Sequence, residues 1–298
     1  MKIIVTLFAL TLTATINTAA KAQDTGVHGT VVAGAAYVPE YEGADEQQIV
    51  PLVIGRINDG NRYLAFEGPT LRANVLDNKG LEFGPVINIT PKRGSDIQSR
   101  AVARLGTIKD AVEVGVFAAI SRPVFGNDRI RLAVQGVQDV GGVHKGWLSA
   151  ASAGYVWSVS AKLGLVGDVN ATYASGEYER NYFSVTSAGS VASGLPTFNA
   201  KRGIKDVGAS VSARYAIDKR WSLFGIGAYK RLVGSSAESP IVKGEGNPNQ
   251  FVGGIGIGLS FQTRFRQNSD PKLSDSPCYL RPSRMQVAIP KRRDARRQ

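Results

Sequence analysis

Apolar and polar residues alternate with a period of two along most of this chain, the spacing of β-strands whose faces meet different surroundings. Between positions 205 and 217 the apolar set is Val207, Ala209, Val211, Ala213, Tyr215 and Ile217. Small or polar residues, Gly208, Ser210, Ser212 and Arg214, lie between them. Leu81, Phe83, Pro85, Ile87 and Ile89 alternate with Glu82, Gly84, Val86, Asn88 and Thr90, and Ile130, Leu132 and Val134 with Arg129, Arg131 and Gln135. Further on, Phe251, Ile255, Ile257, Leu259 and Phe261 share one face, opposite Gly254, Gly256, Gly258 and Ser260. In the 205–217 strand, Ala209 and Val211 are expected to face lipid or protein core, and Gly208, Ser210 and Ser212 a lumen.

The pattern predicts eleven strands, near 26–38, 46–57, 61–75, 79–90, 110–122, 128–139, 147–158, 161–173, 205–217, 219–231 and 250–261. Most run ten to thirteen residues, against about 5–6 for a globular strand and 9–11 for a membrane-spanning one. Short connections, Asp77–Gly80 and Asp218-Lys219, are interleaved with long ones near 91–109, 174–204 and 232–249. That asymmetry is expected of a bacterial outer-membrane barrel, whose strand number is even. One strand is therefore missed or merged, twelve is the expected number, and 61–75 is where the count is weakest. Trp147 and Trp157 share parity and lie ten residues apart. In a strand tilted by about 40° that spacing projects to about 25 Å, the height of the apolar band between aromatic girdles.

Composition adds compartment rather than fold. A charged Met1-Lys2, an apolar run from Ile3 to Ile16 and the small-x-small step Ala20-Lys21-Ala22 predict a cleaved signal peptide over residues 1–22. No later apolar run is long enough for a transmembrane helix. The single Cys278 excludes an internal disulfide framework. Of the net charge of +12, +7 falls in residues 262–298 and +2 in the signal segment, leaving +3 for the body. A body so balanced gives no reason to invoke nucleic acid.

Candidate chemistry is sparse. The two histidines are His28, in the first strand, and His144, in the glycine-rich turn Gly141–Gly146; neither sits beside a recognisable nucleophile. His144 is expected to be a solvated turn or lumen residue. The run Gly254–Gly258 lacks the helix and acidic residue of a dinucleotide loop and reads instead as a strand leaving space on its inner face. Asp45-Glu46, Glu177 and Glu179 fall in loops, where solvation is expected and no ligand spacing supports a cation site. No catalytic, cofactor-binding or metal-binding residue is assigned.

Loop residues carry a family resemblance. Tyr37-Val38-Pro39-Glu40-Tyr41-Glu42-Gly43 with Pro51-Leu52, then Leu76-Asp77-Asn78, Gly80 and Phe83-Gly84-Pro85, resemble the opening of the MipA/OmpV family of outer-membrane proteins. Asn181–Val185, Ser193–Pro196 and Gly203–Val207 resemble its central loop, and Arg231–Gly234, Ser239–Val242 and Asn249–Phe251 its last. The resemblance implies a closed antiparallel transmembrane barrel over 23–261 that scaffolds peptidoglycan-remodelling enzymes, a lytic transglycosylase and a murein synthase. Other members are linked to adhesion, antigenicity or osmotic response, so fold transfers more safely than role. A passive small-solute channel or a surface adhesin is the rival reading, the channel because small inner residues permit a lumen that side chains can equally fill. A barrel hydrolase is the third, and lacks a visible base and nucleophile. The family ends just after the last strand, whereas residues 262–298 continue with four prolines and a basic terminus. They read as a disordered extension or as a shifted frame.

Overall fold

In a computed structural model, which describes residues 26–263, twelve antiparallel strands close on themselves into a barrel. They are β1 (Val27–Pro39), β2 (Gln47–Asp59), β3 (Arg62–Glu67), β4 (Thr70–Asn74), β5 (Leu81–Thr90), β6 (Ala111–Pro123), β7 (Arg129–Asp139), β8 (Trp147–Trp157), β9 (Leu163–Ala174), β10 (Gly203–Ala216), β11 (Trp221–Leu232) and β12 (Asn249–Thr263). Each pairs with its sequence neighbours, and β12 closes onto β1 from Val27 opposite Thr263 to Tyr37 opposite Gly253. The signal segment 1–22 and all but the first two residues of the 262–298 extension lie outside the described residues.

The alternation in sequence becomes the two faces of the wall. Along β5, Leu81, Phe83, Ile87 and Ile89 are exposed, while Glu82, Val86, Asn88 and Thr90 are buried. Val207 and Val211 of β10 likewise point outward, with Ser212 buried inside. An apolar outer face and a polar inner one are what a lipid solvent demands of a barrel. Trp147 and Trp157 are the two terminal residues of β8, and both are exposed. Among the described residues no helix is long and apolar enough to cross a membrane.

The segment 61–75 contains the merged strand. Gly68, at φ +60°, and Pro69 break it into the short β3 and β4. Each is about half the length of its neighbours, so β2 runs on past β3 and pairs with it only from Ile54 onward. Pro51 lies in the unpaired stretch, where its missing N–H removes one exposed donor. On the other side Ile89 donates to the Pro69 carbonyl, so the odd residues of β5 turn their backbone groups toward β4. Pro85 is one of them, and the β4–β5 ladder covers only Thr70–Arg72.

Between strands, the connections at one end are short and those at the other are long, and the long ones fold into five short helices. These are α1 (Arg100–Ala103), α2 (Gly176–Phe183), α3 (Ser187–Ser193), α4 (Gly234–Glu238) and α5 (Pro240–Lys243). By the asymmetry of bacterial barrels the long connections are extracellular and the short turns periplasmic.

Candidate functional site

The extracellular mouth is closed by its own loops. Tyr178, Tyr182 and Phe183 of α2 and Val242 of α5 are buried against Val86, Val137 and Leu148, residues on the inner faces of β5, β7 and β8. Burying such side chains stabilises by about 1.5–3 kcal/mol each, enough in sum to hold the loops in the lumen as a cap.

A charged cluster fixes this cap to the wall. A bulge in β10 between Ile204 and Asp206 turns Lys205 and Asp206 inward together. Lys205 and Lys230 both donate to Glu42 from the first loop, Lys230 at 3.0 Å. Asp206 receives Lys205 at 3.0 Å, and the Tyr178 hydroxyl donates to the second Glu42 oxygen at 2.9 Å. Burial alone would push the Glu42 carboxyl up; the two ammonium groups outweigh it and hold it well below the usual carboxylate range. The neighbours of Glu42 act in the same joint. Tyr41 packs with Val102, Val185 and Ile241, while Gly43, at φ +95°, donates its N–H to Gln250 of β12. A Cβ on Gly43 would stand 2.6 Å from Val242. The Tyr41-Glu42-Gly43 motif thus anchors the cap.

The expectation of solvation is corrected here for two loop residues. His144 is buried: its Nε2 lies 2.9 Å from Glu113 and its Nδ1 accepts the Gly146 N–H at 3.0 Å. With Nδ1 accepting, the proton sits on Nε2 and faces the carboxylate. The turn bends inward because the Asp139 carboxylate accepts four of its backbone N–H groups, and Tyr178 and Tyr182 cover the ring. Glu179 is buried as well, whereas Glu177 stays exposed beside Arg180. The Ser236 hydroxyl of α4 donates to Glu179 at 2.8 Å, and burial pushes its pKa up to about 7.

Below the cap lies a cavity of about 70 Å³ lined by Glu42, Asn88, Gln135, Thr172 and Lys205, and beneath it side chains enter the lumen from both walls. Arg72 of β4 pairs with Glu67 at 3.1 Å, donates to Gln135 at 3.0 Å and lies over the Phe117 ring. Across from it, Val32, Leu52, Ile54 and Phe224 pack as an apolar cluster on the inner face of β1, β2 and β11. The β12 glycines make room for that cluster. A Cβ on Gly254 would meet Leu52 and Ile226 at 3.1–3.2 Å, and one on Gly256 would meet Val32 at 2.8 Å. The space left by the glycines is occupied by neighbouring side chains.

At the periplasmic end the lumen opens again into a polar hollow of about 190 Å³. Its wall carries Arg131, paired with Glu82 at 2.8 Å, and Tyr63, which donates to the same carboxylate at 2.7 Å. Among the described residues no group of three or more His, Cys, Asp or Glu is placed to hold a metal.

A closed twelve-stranded wall, apolar outside and polar or packed inside, defines an outer-membrane β-barrel. Residues 31–261 match the model of the family described as MltA-interacting protein MipA, and the chain belongs to that family. No curated protein matches it in sequence. Among solved structures it is similar to the NanC porin, with 8% identity, a TM-score of 0.40, and 77% of this chain and 98% of that one covered. An outer membrane channel from Pseudomonas putida F1 gives 13% identity and 0.42, covering 80% and 97%. OmpT of Vibrio cholerae gives 7% and 0.37, covering 81% and 99%.

Proposed function

We propose that this outer-membrane barrel is a non-enzymatic, non-conducting scaffold that engages peptidoglycan-remodelling enzymes at its periplasmic end. The reading takes its partner from the family description, an MltA-interacting protein, and extends it to a lytic transglycosylase together with a murein synthase. The observation that carries it is the capped lumen, narrowed below the cap by side chains from both walls. The cap, and below it the Arg72 layer facing the packed inner face of β12, occupy the lumen between the two ends. Such occlusion leaves the periplasmic turns as the surface available to murein enzymes.

Purified barrel reconstituted in planar bilayers should give no conductance steps. In envelopes treated with a crosslinker it should co-purify with a lytic transglycosylase. Stable single-channel steps would favour the passive channel instead, and a pull-down without any murein enzyme would remove the scaffold reading.

A further inference from the structure

The periplasmic hollow has a charge imbalance that the fold does not require. Four cationic side chains line it, Arg56, Lys79, Arg129 and Arg131, against one carboxylate, Glu82. Glu82 is already committed, to Arg131 and to the Tyr63 hydroxyl. Arg131 is buried and still has one terminal nitrogen, Nη1, without a hydrogen-bond partner. Arg56 lies with its guanidinium 3.5 Å above the Tyr63 ring and spends Nε on Asn58 at 2.9 Å. Its face is covered and its terminal edge is left over. A guanidinium held by stacking presents that edge as a rigid two-donor fork, the geometry that matches a carboxylate. Arg129 faces the hollow from β7 and makes no ion pair among the described residues.

From these observations we infer that the hollow is a binding site for a carboxylate-bearing ligand of amino-sugar or dipeptide size. The volume of about 190 Å³ is room for about six waters, more than a simple ion needs. Arg56 stands on β2 and Arg129 on β7, strands that are not neighbours in the barrel. A ligand with separated carboxylates offers one anionic group to each, whereas a phosphate offers a single anionic centre. Resting on the proposed periplasmic role, the source is murein itself, whose stem peptides carry free carboxylates. The barrel would then hold the polymer as well as the enzymes that cut it.

The test is calorimetric titration of purified, detergent-folded full-length protein at low and high salt. The probes are the muramyl dipeptide that ends in D-glutamate, and so carries two free carboxylates, citrate, inorganic phosphate and neutral N-acetylglucosamine. Muramyl dipeptide and citrate should bind and weaken with salt, and N-acetylglucosamine should not bind. The double variant R56Q/R129Q should lose at least tenfold in affinity while keeping its heat-modifiable mobility, because neither arginine holds an ion pair. R129Q alone, which leaves the Tyr63 stack untouched, should show a smaller loss of the same sign. Equal binding of the neutral sugar, or unchanged affinity in both variants, would overturn the site. Phosphate binding tighter than both carboxylates would overturn the carboxylate assignment. Since no enzyme is present, a negative titration leaves the partner reading intact, and a failed pull-down leaves this site intact.

Discussion

At the residue scale, side-chain direction is the property most directly written in this sequence. In a strand the period is two, so one residue fixes the facing of its neighbours. Val211 is exposed on the outer face of β10 and Ser210 on the same strand turns inward. Val211→Arg should therefore cost about 2–4 kcal/mol near the bilayer midplane, and Ser210→Arg distinctly less. Unfolding titrations in lipid vesicles measure both, and equal losses would contradict the facing. Glu42 shows what a local pattern cannot supply. Its partners Lys205 and Lys230 lie 163 and 188 positions away, so no spacing near Glu42 points to them. Removing one member of a buried ion pair typically costs about 3–5 kcal/mol. Glu42→Gln should accordingly leave the barrel folded but the cap loose, seen as faster proteolysis within 175–202 with the heat-modifiable core retained.

Elements add what residues in isolation lack, namely partners and ends. Ten of the predicted strands recur as single strands because each carries its own alternation. The 61–75 segment reads as one strand because β3 and β4 together have the length of one, and only Gly68-Pro69 marks the turn. Long-range topology, not local pattern, decides that this hairpin stops halfway up the wall. Its ladders are correspondingly short, and local opening follows the number of neighbours holding a segment. Amides of β3 and β4 should exchange with deuterium faster than those of any other strand, and slower exchange there than in β9 or β10 would refute the weak seam. The cap elements carry their own pH dependence. Burial raises Glu179 to about 7, above the unfolded carboxyl value of about 4.3. Folding thus favours the protonated acid, and its contribution is fullest below the unfolded value and lost as pH rises through about 7. Protection of 234–243 against proteolysis should fall between pH 5 and 8, and Glu179→Gln should flatten the profile. The sequence placed Glu179 in a solvated loop, since nothing local announces that α4 will cover it.

For the whole molecule, the two ends are chemically unlike and should be separately reachable. The extracellular end is sealed by residues contributed from four loops, with Tyr41, Val102, Val185 and Ile241 in one buried cluster. Lys79 belongs to the hollow at the opposite end, and Val191 of α3 is 89% exposed on the cap. Between them stand the Arg72 layer and the packed inner face of β12, so a bulky reagent has no path through the lumen. Single cysteines placed at Val191 and at Lys79, with Cys278 changed to serine, turn this into a measurement. On intact cells a polyethylene-glycol maleimide of several kilodaltons should label Val191→Cys and leave Lys79→Cys unmodified. After the outer membrane is permeabilised, both should react, because Lys79 is exposed to the periplasm. Labelling of Lys79→Cys in intact cells would mean either that the barrel is inverted or that its lumen passes the reagent. The two are separable, since inversion would also protect Val191→Cys, whereas an open lumen would leave it reactive.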